Sequence, residues 1–203
     1  VVYSHRGTYL NALGNTVSWG LSKHPVYLWT LPMFHASGWC FPWAITMLAG
    51  IHVCLRRVEA APIYDAIATH GVTHMCGAPV VMQLIAGASD NQKREFPQSV
   101  KFMTAAAPPP AAVLAEMARQ GFDVTHVYGL TEVLGPCVVC AWKEEWSALP
   151  IEEQAQLKAR QGVSYELQEG LMVADAETLE PVPMDGQTMG EVFMRGNITM
   201  KGY

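Results

Sequence analysis

With 203 residues, 50% of them hydrophobic and 15% charged, the chain can bury one sizeable core and begin a second unit. A net charge of −5 and a pI near 5.8, with the few Lys and Arg scattered, leave no basic stripe and argue against nucleic acid as a partner. Five Cys, an odd number, fit reduced thiols in a cytoplasmic protein better than a disulfide framework.

In chain order, Val1, Val2 and Tyr3 read as an apolar strand, and a start without Met together with a stop at Tyr203 reads as a piece of a longer protein. From His24 to Leu55 there is no Asp, Glu, Lys or Arg, a length that would admit a transmembrane helix. Pro25, Pro32 and Pro42 would each interrupt such a helix, so several short buried elements are expected and no membrane span. Pro62 to His70 carries apolar residues at helical spacing, Gly71 supplies a C-terminal cap, and Val72 to Cys76 reads as a strand ending in Gly77, Ala78 and Pro79. After a further strand, Val100 to Thr104, the same unit recurs. Pro110 to Gln120 reads as a helix, Gly121 as its cap and Phe122 to Val127 as a strand.

Helices alternating with buried strands imply an α/β fold, a mostly parallel sheet flanked by helices. Lys143 to Gln161 is charged and helix-prone, and from Val163 onward the chain alternates with Pro and Gly turns, including Asp185-Gly186, as the start of a smaller β-rich subdomain. The expected division is an α/β unit over 1–141, a helical connection over 142–162 and the β-rich start over 163–203. Two spacings that could suggest metal are set aside. His70 and His74 are separated by a helix end and strand start, and Cys137 and Cys140 form a CxxC without a second pair.

Ligands of parallel sheets collect at the C-terminal ends of the strands, and Leu31 to His35, Ala105 to Pro108 and Tyr128 to Glu132 all sit at such ends. In the last, an aromatic ring can cover a purine, Gly129 lets backbone approach a ligand, the Thr131 hydroxyl can bond a phosphate oxygen, and the Glu132 carboxylate can hold Mg2+. The plainer alternative is a strand end followed by an N-cap Thr and a first-turn Glu. For Ala105 to Pro108 it is a strand-to-helix turn with Pro at the first helical position. His35 and Trp39, four residues apart, would share one face of a helix, either as a pocket wall or as core packing.

Taken together, these segments resemble the adenylate-forming (AMP-binding) superfamily, the acyl-CoA synthetases in particular. Val1 to Gly7 is similar to the stretch after the family's phosphate loop, and Leu31-Pro32-Met33-Phe34-His35 to its acid-pocket motif. Ala105-Ala106-Ala107-Pro108 stands in for the family's Gly-Gly-Ala-Pro turn, and Tyr128-Gly129-Leu130-Thr131-Glu132 matches its Tyr-Gly-x-Thr-Glu signature. Gly190-Glu191 through Arg195-Gly196 to Tyr203 is similar to the stretch leading to its ribose-binding Asp. Arg160-Gln161-Gly162, with Trp142 and Trp146, resembles medium-chain and methylthio-propionate-type acyl-CoA ligases.

The resemblance implies part of the large N-terminal domain of an ATP-dependent acyl-CoA ligase. Such an enzyme activates a short- or medium-chain carboxylic acid as an acyl-adenylate and passes it to coenzyme A. It assigns Thr131 and Glu132 to catalysis, Glu132 to Mg2+, and Ala105, Ala106, Ala107, Pro108, Tyr128, Gly129, Leu130 and Thr131 to ATP and AMP. Phe34, His35, Trp39, Ala105 and Gly129 fall to the acyl pocket, with Met33 and Trp43 adding apolar lining. His5 and Arg6 would approach phosphates from behind. ATP, Mg2+, coenzyme A and a small carboxylic acid are the implied ligands, a homodimer is allowed, and the chain alone is expected to have no turnover. A non-catalytic nucleotide or acyl-adenylate binder, or an aryl-acid or carrier-protein ligase, is the alternative within the same resemblance.

Overall fold

Strands that are apolar at nearly every position need cover on both faces. In a computed structural model that describes residues 1–203, five strands lie parallel, apolar chiefly at their inner positions: β1 (Val26–Trp29), β2 (Ile51–Cys54), β3 (His74–Gly77), β4 (Val100–Thr104) and β5 (Phe122–Leu130). The antiparallel β6 (Gly135–Val139) and β7 (Val163–Ser164) extend the sheet, whose order is β2-β1-β3-β4-β5-β6-β7.

The period of two along each strand sorts the core into two layers. Leu28, Met75, Phe102 and Val124 face α4 (Ala60–His70), α5 (Pro79–Ala86), α6 (Ala111–Arg119) and α7 (Ile151–Lys158), meeting Ile63, Ile67, Met82, Leu114 and Met117. Tyr27, Trp29, Cys76, Met103 and Val127 face α1 (His5–Ser18) and α3 (Phe41–Met47), meeting Ala12, Phe41, Ala44 and Ile45. Between β1 and α3 lies a helical turn, α2 (Ala36–Trp39). The uncharged stretch 24–55 therefore resolves into β1, α2, α3 and β2, and no helix is long and apolar enough to cross a membrane.

Three local outcomes depart from the sequence pattern. No helix is expected over 5–18, yet α1 forms: Ser4 Oγ accepts from Gly7 N at 2.9 Å as an N-cap, and the buried face is Gly7, Asn11, Ala12, Gly14 and Asn15, which leaves no apolar stripe to read. Val1 to Tyr3 makes only a bridge, in which Val2 N donates to Gly202 O and Lys201 N to Val2 O, both at 2.8 Å. β5 runs past Val127 to Leu130, because β6 folds back and pairs with it.

The tail holds a separate antiparallel pair, β8 (Gly170–Ala174) and β9 (Glu191–Arg195). Asp185 and Gly186 lie in its long connection, where Asp185 Oδ1 accepts from the backbone N of Gln187 and Thr188. Near α7, Trp142 and Trp146 pack edge to face at 5.3 Å, with Lys158 over one ring and Arg160 over the other.

His74 is buried edge-on against Trp19, and burial together with Lys101 lowers its pKa to about 4. His70 sits exposed at the end of α4, so the two histidines form no pair. Cys40, Cys76, Cys137 and Cys140 are buried and Cys54 is exposed. Burial pushes the Cys40 and Cys137 thiols up to about 12 and raises those of Cys76 and Cys140 as well.

Candidate active site

Where the C-terminal ends of β1, β4 and β5 open, the chain encloses a cleft of about 290 Å3 lined by His35, Ala36, Trp39, Ala105, Ala106, Gly129, Leu130, Thr131, Glu132, Gly135 and Pro136. It is built from three turns.

The first follows β1. From Ala36 to Cys40 five successive residues have positive φ, at 38, 48, 57, 53 and 63°, so α2 is left-handed and not the right-handed helix its sequence suggests. Non-glycine residues resist this conformation by about 1 kcal/mol or more each, so neighbours must hold it. Trp39 O accepts from Asn15 Nδ2 at 2.7 Å, and Gly38 lies against the Trp29 ring, where a Cβ would come within 3.0 Å. Trp29 Nε1 donates to His52 Nδ1 at 2.9 Å, so the remaining ring proton sits on Nε2, 3.1 Å from Thr46 Oγ1.

His35 and Trp39 thus reach the same cleft through a left-handed turn. Phe34 is 86% exposed and does not line it, because the turn swings its ring outward. Met33 and Trp43 also stay half exposed outside it. Trp43 instead joins His5, Thr8, Tyr9, Ala12 and Met47 along a separate groove.

The second turn follows β4. Ala105 is buried, Ala106 adopts φ +79°, and both line the cleft, whereas Ala107 and Pro108 are exposed beyond its edge. The helix begins only at Ala111 with Pro110 in the cap position, so Pro108 is not a first helical residue.

The third turn ends β5. A Cβ on Gly129 would overlap the carbonyl of Gly135 across the β5–β6 bulge, so only glycine fits there. Tyr128, by the alternation of the strand, turns its ring away from the cleft and toward the cluster of Val133, Cys137, Val138 and Ile198. Leu130, not Thr131, caps the short turn Thr131–Val133, which counts against the N-cap alternative. Thr131 is exposed, and its backbone O accepts from Tyr3 Oη at 2.7 Å and from Leu134 N at 3.0 Å.

Glu132 Oε1 accepts from Tyr203 Oη at 2.8 Å and its backbone O from Met200 N at 2.7 Å. The tyrosine hydrogen bond, with lesser backbone help, holds the carboxyl below the usual range, so it is ionised at neutral pH. No cluster of three or more metal-ligating side chains accompanies it. One carboxylate at an open edge still fits Mg2+, which is commonly held by one or two carboxylates, water and substrate phosphates.

Across its whole length, residues 1–203, the sequence matches the AMP-binding enzyme family. The chain belongs to that family. It is 52% identical over 204 residues to an acetate–CoA ligase of Humulus lupulus and 52% identical over 204 residues to a peroxisomal acetate/butyrate–CoA ligase of Arabidopsis thaliana. All of this chain is covered in both comparisons, but only 36% of each relative, so it spans about a third of their length. The fold is that of the o-succinylbenzoate coenzyme A synthetase from Bacillus subtilis solved with ATP and magnesium ion. There the TM-score is 0.78 at 20% identity, over 99% of this chain and 39% of that one.

A larger opening in this family member, about 660 Å3, lies at the opposite end of the strands around Tyr64, Phe96 and Gly121. Its cations are already engaged, Arg94 with Asp65 at 2.8 Å and Arg119 with Glu116 and Glu152, so it offers a ligand little free charge. Arg6 is bound to Asn197 Oδ1 at 3.1 Å, and neither His5 nor Arg6 lines the cleft. Tyr3, Tyr203, Gly135, Pro136, Asn11 and Asn15 contribute to the cleft or its supports without a place among the expected residues. The asparagine pair had a visible signal, two amides four residues apart in a segment of low charge.

Proposed function

We propose that this chain is the acid- and nucleotide-binding part of an AMP-forming acyl-CoA ligase for a short- or medium-chain carboxylic acid. The observation that carries this is the convergence, at one cleft, of an ionised carboxylate and an exposed hydroxyl with a wall of His35, Trp39, Ala105 and Gly129. The division into 1–141, 142–162 and 163–203 and the roles of those expected residues that line the cleft, His35, Trp39, Ala105, Ala106, Gly129, Leu130, Thr131 and Glu132, belong to the same proposal.

In the proposed reaction the substrate carboxylate attacks the α-phosphate of ATP and pyrophosphate leaves. The thiolate of coenzyme A then attacks the acyl carbon and AMP leaves. Thr131 donates its hydroxyl to a phosphate oxygen as negative charge shifts. Glu132 would hold Mg2+, which would neutralise phosphate charge. Trp39 and Ala105 keep water from the acyl side, since both are almost fully buried. His35 presents no carboxylate, so an α-ammonium group on the acid side would meet no counter-ion beside it, the one carboxylate of the cleft, Glu132, standing on the phosphate side, which favours a simple acid over an amino acid. The names of the two relatives, acetate and acetate/butyrate ligases, point the same way.

The test is acid-dependent ATP–pyrophosphate exchange, followed by thioester formation, with the full-length protein and acetate, butyrate and hexanoate. Exchange with at least one is expected; none with any aliphatic or aromatic acid would overturn the reading. A cytoplasmic location is part of the proposal, and because the Arabidopsis relative is named peroxisomal, imaging of the tagged full-length protein separates the two.

A further inference from the structure

Asn11 and Asn15 are one helical turn apart on α1 and both are buried, at 1% and 0% exposure. An amide buried in an apolar interface is destabilising unless it is hydrogen-bonded, so what each one bonds is informative. Asn11 Nδ2 donates to Leu134 O at 2.9 Å and Asn15 Nδ2 to Trp39 O at 2.7 Å. Both acceptors belong to residues in the left-handed region, Leu134 at φ +61° and Trp39 at φ +53°. Each closes one wall of the cleft: Trp39 the acid side, Leu134 the turn that carries Thr131 and Glu132.

Asn15 is itself oriented, whereas Asn11 Oδ1 is buried without a partner. Tyr165 Oη donates to Asn15 Oδ1 at 3.0 Å, which turns the amide nitrogen toward Trp39. Tyr165 can lie across α1 because the intervening residue is Gly14, where a Cβ would come within 3.2 Å of its ring. The two walls also touch each other, with Cys40 Sγ 3.7 Å from Leu134 O and no spare room between Gly135 and Trp39. One helical turn of α1 is therefore the rigid spacer to which both walls are fastened.

We propose that Asn11 and Asn15 are positioning residues that set the two walls separately, Asn15 for the acid and Asn11 for the phosphate and metal turn. This rests on the acyl-CoA ligase reading for its kinetic form. In the full-length protein Asn15→Ala should raise KM for the acid roughly tenfold while KM for Mg-ATP changes less than about twofold, and Asn11→Ala should do the reverse, each the loss of one buried hydrogen bond. Tyr165→Phe, which removes only the hydroxyl that orients Asn15, should act in the direction of Asn15→Ala with a smaller effect, and covers the case in which the alanine variant does not fold.

Hydrogen exchange supplies a readout independent of activity. Asn15→Ala should speed exchange of the amides at 36–40 more than those at 131–135, and Asn11→Ala the converse. If wild type shows no acid-dependent exchange of pyrophosphate, the ligase reading fails and the amide pattern alone judges the two asparagines. Equal changes in both KM values, lower thermal stability with unchanged KM, or uniform acceleration of both amide segments would overturn the proposal.

Discussion

The ends of β4 and β5 lie side by side on the cleft and meet the same demand for tight backbone in different ways. At the end of β5, Gly129 occupies a bulge where any Cβ would overlap Gly135 O, and Gly135 itself sits at φ +107°. At the end of β4, Ala106 holds φ +79° with a side chain that resists it. One end is glycine by steric exclusion; the other tolerates strain. The polar groups, Thr131 and Glu132, stand at the end whose backbone has no alternative, and the strained end contributes only methyl groups and backbone to the cleft wall.

The largest effect that sharpens this contrast is expected from Gly129→Ala. The overlap is with backbone on a paired strand, which cannot swing aside, so the β5–β6 hairpin should be lost at a cost of about 3 kcal/mol or more. A full-length Gly129→Ala protein with an unchanged denaturation midpoint would break the comparison.

Acid offers a perturbation that does not distinguish the two ends. His74, on β3 beside β4, has a folded-state pKa near 4, below its unfolded value near 6.5. Between these values the unfolded chain binds more protons, so stability rises with pH across that window, is lost as pH falls through it, and is flat above. The size is at most about 3 kcal/mol. His52 and His126, whose pKa values burial also lowers, act with the same sign. Urea midpoints at pH 7.5 and 5 should differ in wild type and differ less in His74→Gln; an unchanged difference would reject the assignment.

Glu132→Gln should separate chemistry from folding at the β5 end. The carboxylate is at an open edge, so the melting temperature should stay within a few degrees while ATP–pyrophosphate exchange falls roughly 100-fold, the scale of losing several kcal/mol of charge stabilisation. Equal loss of both would make Glu132 a structural residue. The smallest change is expected from Ala106→Gly, which relieves a positive φ and should stabilise by about 1 kcal/mol, less the entropy glycine adds to the unfolded chain. Destabilisation would show that Ala106 is not strained.

Much of this architecture was readable from local signals. The helix–strand units joined at Gly71 and Gly121 became α4–β3 and α6–β5, because helix caps and buried strands depend on nearby residues. α1 was not readable, since its inner face is glycine, alanine and amide where a stripe of large apolar residues would signal a helix. The positions of Phe34 and Tyr128 were not readable either. Which way each ring points depends on the handedness of α2 and on the pairing of β5 with β6, and both are fixed by contacts that motif spacing does not encode, Asn15 with Trp39 O and Gly129 against Gly135 among them. Motif spacing located the three turns, but tertiary contacts decided which members of each motif reach the cleft.

The uneven burial of the thiols has a practical consequence. Cys40, Cys76, Cys137 and Cys140 are shielded and held protonated, while Cys54 stands exposed at the end of β2, the outermost strand of the large sheet. Only the thiolate is a competent nucleophile toward an alkylating dye. Within this stretch of sequence a maleimide fluorophore should therefore attach at a single place without prior removal of cysteines, giving a built-in handle at the rim of the sheet for distance measurements to the cleft.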